Sequence, residues 1–167
     1  MFCLYFFRDP ERPIPAGPVA VSPADGTVVE IRPAEGGAQR VSIFLNVFDV
    51  HVNRCPVGGV ITGIRYAPGK FKVASLEQAS AENEQNTLVV DDGRSRVVFK
   101  QIAGLIARRI VCTKKVGDRV QTGERFGLIK FGSRMDVILG SEWELAVTRG
   151  QRVKAGSSIL ARRSEGT

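Results

Sequence analysis

Three side chains in this 167-residue sequence have the types needed for acid, base and nucleophile chemistry. His51 is the only histidine, and an imidazole is the side chain best suited to moving protons near neutral pH. Asp25 lies in an Asp-Gly turn, and Ser133 follows Gly132 between two apolar runs. Such a trio can form a relay in which the histidine takes the proton of the serine hydroxyl. The simpler interpretation of each residue is structural: a turn carboxylate, a buried histidine and a Gly-Ser turn.

Metal chemistry and disulfides have little support in the sequence. A single histidine excludes zinc peptidase motifs of the H-E-x-x-H type, which need two. The three cysteines, Cys3, Cys55 and Cys112, are far apart and lack C-x-x-C spacing. They predict neither a disulfide framework nor a zinc site, and are typical of small thiols in a reducing compartment.

The composition is that of a folded protein with a basic surface. Apolar residues make up 43% and charged residues 25%, and the length suffices for one domain with a hydrophobic core. The net charge of +7 attracts polyanions, and nucleic acid and anionic lipid are equal candidates on charge alone. The basic residues are scattered, without the aromatic-interleaved pattern typical of RNA binding.

Frequent glycines and prolines predict many short strands. The predicted strands lie at 27–31, 41–47, 58–66, 87–90, 95–99 and 158–161, and a short helix is predicted over 75–83 with Ser75 as its N-cap. His51 lies in the segment 48–56, which lacks a strand pattern. Irregular segments carried by rigid strands often hold catalytic groups.

An internal repeat indicates the architecture. The turn Gly117–Gly123 resembles Gly150–Gly156, which begins 33 residues later, and Gly26–Ile31 resembles Gly59–Ile64 at the same offset. A G-x-x-V-x-x-G turn followed by an apolar strand is typical of biotinyl and lipoyl carrier domains. We therefore predict a single, mainly β domain over residues 1–167, with a duplicated barrel-sandwich-hybrid fold and one short helix.

The opening segment Met1–Phe7 is apolar and stops at Arg8. It is too short for a secretory signal, and no run reaches the roughly 20 apolar residues that span a bilayer. Two interpretations stay open: a first core strand, or the tail of an amphipathic segment that touches a membrane.

Six short blocks, in order along nearly the whole chain, resemble the short, archaeal-type form of the phosphatidylserine decarboxylase family. They are Phe6–Arg12, Ser22–Gly26, Phe48–Arg54 with Pro56, Gly69–Phe71, Glu82–Glu84 and Phe131–Asp136. The resemblance implies a self-processing enzyme that makes phosphatidylethanolamine from phosphatidylserine. In such an enzyme the Ser133 hydroxyl attacks the carbonyl of Gly132. The resulting cut leaves a β chain, 1–132, and an α chain, 133–167, whose first residue becomes a covalent pyruvoyl cofactor.

The resemblance also implies roles for the other candidate residues. His51 would take the hydroxyl proton, oriented by Asp25, and would later reprotonate the substrate carbon. The pyruvoyl carbonyl would serve as an electron sink while carbon dioxide leaves. Candidates for holding the phosphate or carboxylate of the headgroup are Arg134, Lys70 and Arg54, with Lys72, Arg8 and Arg12 as further basic residues.

One departure from the family pattern concerns the second histidine. The long bacterial form has an H-R-V-H-M-P motif and a Leu-Gly-Ser-Thr cleavage motif. Here Arg54 stands where the second histidine would be, and the cleavage motif is Phe-Gly-Ser-Arg. Either His51 serves both processing and decarboxylation, or Arg54 shares the work.

The expected setting is a peripheral enzyme on the cytoplasmic side of the cell membrane. Its partners would be phosphatidylserine and its own second chain in an α/β heterodimer, with higher oligomers open and no nucleic acid.

One alternative is a non-enzymatic biotinyl- or lipoyl-like carrier or interaction domain. Lys130–Met135 does not match the modifiable-lysine hairpin that a carrier needs. A basic nucleic-acid-binding barrel lacks a cluster of stacking aromatics. An ether lipid with a serine headgroup is a further alternative within the family.

Overall fold

Strands dominate the part of the chain that the computed structural model describes, which is residues 4–5, 8–69, 83–104, 110–129 and 132–164. A 3-10 turn lies at Glu35–Gly37. The mainly β fold class is confirmed. The helix predicted over 75–83 lies outside the described residues except for Asn83, which is in a bend.

Fourteen strands are described. They are β1 (Val19–Val21), β2 (Gly26–Pro33), β3 (Gln39–Leu45), β4 (Val52–Arg54), β5 (Gly59–Ala67), β6 (Gln85–Asp91), β7 (Arg96–Ile102), β8 (Ile110–Cys112), β9 (Arg119–Val120), β10 (Arg125–Ile129), β11 (Ser133–Leu139), β12 (Trp143–Leu145), β13 (Arg152–Val153) and β14 (Ile159–Arg163).

The strands form three antiparallel sheets. The largest has eight strands in the order β13-β2-β3-β11-β7-β6-β5-β9, and β11 lies at its centre between β3 and β7. Two smaller sheets have the orders β1-β14-β12 and β4-β10-β8. Because the sheets combine strands from distant parts of the chain, residues far apart in sequence are brought to one end of the fold.

Period-2 alternation builds the core from one face of the large sheet. On β11 the inward residues Met135 and Val137 are buried, and the cross-strand neighbour of Val137 on β7 is Phe99. Phe99 packs edge-on against Phe126 of β10, with ring centroids 5.1 Å apart. This contact joins the large sheet to the small sheet that carries β4. Each such apolar side chain stabilises the fold by about 1.5–3 kcal/mol.

The repeat found in the sequence is a repeat of structure. Gly26 of β2 pairs with Val153 of β13, and Gly59 of β5 pairs with Val120 of β9, at the same 33-residue offset. A Cβ on Gly26 would lie 2.2 Å from the Phe44 carbonyl oxygen, and one on Gly59 would lie 2.3 Å from that of Asp91. Glycine is therefore required at both positions by the close approach of a neighbouring strand.

Reciprocal backbone bonds interlock the two units. The Val21 N–H donates to the Pro56 carbonyl at 2.9 Å, and the Arg54 N–H donates to the Pro23 carbonyl at 2.9 Å. Each donor and each acceptor has its counterpart 33 residues along the chain. This exchange is the interlocking of quasi-repeats expected of the barrel-sandwich-hybrid architecture.

Two local expectations need correction. The segment around His51 is not wholly irregular, because Val52–Arg54 forms β4; buried polar residues on this strand hid its pattern. Leu4 and Tyr5 are 79% and 48% exposed and belong to no strand, so the core-strand alternative is wrong for them. Among the described residues, no helix is long and apolar enough to cross a bilayer.

Candidate active site

Ser133 is a buried serine at the start of the central strand. It opens β11 opposite Leu45, the last residue of β3, and shares the inward side of β11 with Met135. Its hydroxyl oxygen has no hydrogen-bond partner among the described residues. Leaving a buried hydroxyl unpaired costs about 1–3 kcal/mol, so this group is one whose burial needs a functional reason.

Gly132 turns the backbone just before this hydroxyl. Its φ is +57°, in the left-handed region, and a Cβ there would meet nothing within 4 Å. Glycine is therefore favoured by the backbone dihedral and not by lack of space. Gly132 directly precedes β11, so its carbonyl belongs to the peptide bond that the Ser133 hydroxyl could attack.

His51 is placed at the same end of the fold by the neighbouring strand. It directly precedes β4, and its backbone carbonyl accepts a hydrogen bond of 3.3 Å from the N–H of Ile129, the last residue of β10. Ile129 lies four residues before Ser133. The structure thus brings the segments of His51 and Ser133 together, although the Ser133 hydroxyl does not bond the imidazole. Catalytic hydrogen bonds of this kind often tighten only during reaction.

Burial sets the protonation state of His51, which is 1% exposed. Desolvation lowers the pKa of His51 below its ordinary value of 6.5. A hydrogen bond to the Asp49 backbone, the Asp49 carboxylate and, more weakly, Asp25 oppose this shift, while Arg8 adds to it. The imidazole is therefore neutral at neutral pH, which is the state a general base requires.

Asp25 is near His51 but is held by other partners. Its carboxylate accepts two hydrogen bonds from Arg12, at 3.2 and 2.9 Å, and one of 2.7 Å from the Ala155 N–H. Its effect on His51 is electrostatic and is the smallest of those that act on the imidazole. That Asp25 orients His51 stays a prediction.

Asp49 is the acidic residue whose importance the sequence did not reveal. It is buried, accepts a hydrogen bond of 2.9 Å from the Asn46 N–H, and forms an ion pair with Arg152. It acts on the His51 pKa more strongly than Asp25 does. The available signal was its position two residues before the only histidine.

Comparison with known proteins assigns the family. A family model described as phosphatidylserine decarboxylase matches residues 1–161, a range that contains Asp25, His51 and Ser133. The chain belongs to the phosphatidylserine decarboxylase family. The duplicated carrier-like fold is therefore the scaffold of a decarboxylase family, and the carrier alternative loses its support.

Individual relatives extend this match over nearly the whole chain. A phosphatidylserine decarboxylase proenzyme from Solibacter usitatus is 67% identical over 163 residues, which cover 98% of this chain and 79% of the relative. Proteins of the same name from Solidesulfovibrio magneticus and Ruegeria pomeroyi are 51% and 52% identical, covering 99% and 96% of this chain and 80% and 78% of the relatives.

Arg134 does not face the site despite its position next to Ser133 in this decarboxylase-family chain. Successive residues of a strand point to opposite faces, so Arg134 lies on the outward side of β11. There its guanidinium, 1% exposed, donates to Asp136 at 2.8 Å, to Ser42 at 2.8 Å and to Glu30 at 3.2 Å. The Arg134 side chain therefore lies on the face of β11 opposite Ser133, and headgroup binding by Arg134 stays a prediction.

Arg54 is likewise bound to the protein itself. Its guanidinium donates to the carbonyls of Gly123 at 2.9 Å and Pro10 at 3.1 Å, and lies 3.8 Å from the Asp9 carboxylate. These contacts tie the proline-rich lead-in to the barrel. That Arg54 shares the catalytic work of His51 stays a prediction. Lys70 and Lys72, the other basic candidates, lie outside the described residues.

A buried amide network connects the histidine strand to the large sheet. Asn53 is the middle residue of β4 and lies two residues after His51. Its side-chain oxygen accepts a hydrogen bond of 3.0 Å from the Gln101 amide nitrogen. The Gln101 side-chain oxygen in turn accepts a hydrogen bond of 3.1 Å from the Asn86 amide nitrogen. Gln101 is the cross-strand neighbour of Met135 on β11. Sequence patterns do not distinguish such amides from exposed ones, and none of these three residues lies in a strand that the sequence predicted.

Other reactive groups are poorly suited to this chemistry. Burial raises the pKa of the Cys55 thiol to about 12, so it stays protonated and unreactive. Within the described ranges, no three His, Cys, Asp or Glu side chains form a group that could hold a metal ion.

Proposed function

We propose that this chain is a self-processing proenzyme that decarboxylates phosphatidylserine to phosphatidylethanolamine. The observation that carries the proposal is the buried hydroxyl of Ser133, which has no hydrogen-bond partner among the described residues and directly follows a glycine in the left-handed conformation. The names of the relatives, phosphatidylserine decarboxylase proenzyme, support both the reaction and the processing.

The cut follows from the residues at 132 and 133. The Ser133 Oγ attacks the Gly132 carbonyl carbon while His51 takes the hydroxyl proton, and the amide bond is replaced by an ester. Loss of the Ser133 Cα proton then breaks the Cβ–O bond and releases the first chain with a Gly132 carboxylate. Addition of water to the remaining dehydroalanine and loss of ammonia leave a pyruvoyl group at the head of the second chain.

The residues around Ser133 fit such a group. A pyruvoyl carbonyl supplies the electron-withdrawing centre that decarboxylation of an amino acid requires. The inward side of β11 and the buried position of residue 133 keep water away from this centre. His51, neutral at neutral pH, is suited to take a proton and return it to the substrate carbon.

The β11 ladder supports a stable two-chain product. Strand β11 begins at Ser133 and is hydrogen-bonded along its length to β3 and β7 of the first chain. Farther along the second chain, β13 pairs with β2 and β14 pairs with β1. The two chains are thus interleaved in two sheets, and we expect them to remain an α/β heterodimer after the cut.

The proposed location is the cytoplasmic face of the cell membrane, as a peripheral protein. A net charge of +7 favours the anionic surface of that leaflet. Exposed apolar side chains at Leu4, Tyr5 and Phe48 provide groups that could enter the interfacial region.

Intact mass and denaturing gel analysis of the purified protein tests the proposal. We expect two fragments, 1–132 and 133–167, the second with a blocked and carbonyl-reactive N-terminus. Ser133→Ala should give a single uncut chain that releases no carbon dioxide from phosphatidylserine. A wild-type chain that stays whole, or a Ser133→Ala variant that remains active, would refute the role of Ser133.

A further inference from the structure

A cleft of about 500 Å³ opens beside the candidate active site. Its wall includes Val50, the residue before His51, and Asn46, the residue after Leu45, which lies opposite Ser133 on β3. The cleft wall thus lies one residue from His51 and one residue from the β3 position that pairs with Ser133. A molecule bound in this cleft would lie next to the residues that we assign to the chemistry.

Four cationic side chains line the cleft, and two of them have no acidic partner among the described residues. Arg12 pairs with Asp25 at 2.9 Å, and Arg152 pairs with Asp49. These are the two acidic residues of the lining.

The remaining cations are Arg8 and Lys154. Arg8 donates to the neutral backbone carbonyls of Tyr5 at 2.9 Å and Phe48 at 2.8 Å. The Lys154 ammonium has no ion pair within the described part of the chain. The cleft thus has two positive charges available for a bound anion.

Apolar groups at the mouth indicate what kind of anion fits. Tyr5 and Phe48 line the cleft and are 48% and 62% exposed, and Leu4 beside them is 79% exposed. Cations flanked by exposed apolar and aromatic side chains are typical of surfaces that meet the boundary between lipid headgroups and acyl chains. A free phosphate ion would gain nothing from the apolar rim.

We propose that this cleft is the headgroup subsite for a serine phospholipid, with the phosphodiester held between Arg8 and Lys154. The inference rests on the proposed function and specifies how that substrate is recognised. A phosphodiester has two free oxygens that share its negative charge, and each of the two available cations can donate to one of them. The acyl chains then leave the cleft past Tyr5 and Phe48, while the serine end points toward His51.

The test compares Arg8→Gln and Lys154→Gln with Arg94→Gln. Arg94 is an exposed residue in the turn between β6 and β7, and its substitution removes the same unit of charge away from the cleft. Carbon dioxide release is measured on phosphatidylserine in mixed micelles of a non-ionic detergent, after gel analysis of the self-cut. Since a charged hydrogen bond to phosphate is lost, we expect KM to rise roughly tenfold or more in each cleft variant, with cutting unchanged. Arg94→Gln should stay within about twofold of wild type, as expected for an exposed charge.

Soluble competitors separate the possible ligands. Glycerophosphoserine should inhibit the wild-type enzyme and should inhibit both cleft variants more weakly. Equal competition by inorganic phosphate would overturn the headgroup assignment in favour of a general phosphate site. A loss of binding to phosphatidylglycerol vesicles without a change of KM in micelles would also overturn it, because the two cations would then act only on the membrane surface.

Failure of the headgroup subsite and failure of the proposed function give different results in these experiments. A wild-type enzyme that is cut and active, with unchanged KM in both cleft variants, overturns the subsite and leaves the proposed function intact. A wild-type enzyme that releases no carbon dioxide refutes the proposed function itself. If the Arg8→Gln variant fails to cut itself, Arg8→Lys keeps the positive charge at that position, and Lys154→Gln tests the cleft through a residue in a different turn. A wild-type KM for Lys154→Gln would then overturn the headgroup subsite.

Discussion

Ser133 and Arg134 are adjacent in sequence but face opposite sides of β11. Ser133 presents a hydroxyl without a hydrogen-bond partner in the described structure to the core side, whereas Arg134 donates to Asp136, Ser42 and Glu30 on the other side. The same strand therefore carries the candidate reactive group on one face and a buried ionic anchor on the other. This anchor holds the beginning of β11 in place whether or not the bond before Ser133 is cut.

Removing the Arg134 guanidinium should therefore affect stability first. Arg134→Met removes the 2.8 Å charged hydrogen bond that the buried Asp136 carboxylate accepts, and breaking a buried ion pair costs about 3–5 kcal/mol. We expect a loss of this size in the free energy of unfolding measured with urea. Arg96→Met, whose arginine side chain is 72% exposed, serves as the control and should cost less than about 1 kcal/mol. A loss below about 1 kcal/mol in Arg134→Met would contradict the anchor, since even a surface pair can reach that value.

Gly132→Ala should slow the self-cut by straining the backbone. A residue with a Cβ in the left-handed region costs about 1–2 kcal/mol, and the strain falls on the carbonyl that Ser133 attacks. Gly36 is a matched control, because its φ of +69° is also left-handed and a Cβ there also meets nothing within 4 Å. Both variants should lose similar stability, but only Gly132→Ala should be cut more slowly in a time course on gels. Equal cutting rates in the two variants would show that the Gly132 conformation is not part of processing.

The pH dependence of cutting should report the buried histidine. Because burial lowers the His51 pKa, the imidazole stays neutral above its ordinary value of 6.5, and the cutting rate should be flat there. The rate should fall only as the pH drops through the lowered value in the folded protein. At a pH between the lowered pKa of His51 in the folded protein and its ordinary value of 6.5, the unfolded chain binds the proton more readily than the folded one. The free energy of unfolding is therefore not reduced by His51 above pH 6.5, and it declines as the pH falls below 6.5.

Rapid-mixing experiments from pH 5 to 8 on freshly refolded proenzyme measure this profile. A midpoint above 6.5 would contradict a base whose pKa is lowered by burial. His51→Ala should abolish the pH-dependent step and slow cutting at every pH.

Asp49 and Asp25, the two acidic neighbours of His51, should differ in their effect on the His51 pKa. Asp49 raises the His51 pKa through both its backbone hydrogen bond and its charge, whereas Asp25 acts only through charge and more weakly. Asp49→Asn should therefore lower the imidazole pKa further than Asp25→Asn does, as measured by NMR titration in the uncut Ser133→Ala background. The isosteric amide preserves shape in both variants. A larger shift from Asp25→Asn would restore Asp25 as the main partner of His51.

Much of the fold could be predicted from local patterns. β-Branched residues predicted the strand at 27–31, and a hairpin pattern predicted the strand at 95–99. The structure has these strands at Gly26–Pro33 and Arg96–Ile102. The 33-residue repeat predicted the duplicated pairing that the structure shows for Gly26 and Gly59. The strand β4 was not predicted, because its buried residues Asn53 and Arg54 are polar and give no apolar alternation.

For the candidate site, the sequence determined the residue types and the tertiary structure decided their contacts. The sequence by itself determined the reactive types, since only one histidine exists and Gly132 precedes Ser133 in a family-specific block. Tertiary structure alone decided which charges meet: Arg12 with Asp25, and Asp49 with Arg152, which are 103 residues apart. Backbone periodicity is a local property that short-range sterics enforce, whereas the pairing of buried charges depends on how separate sheets pack, and on which face of a strand each side chain lies.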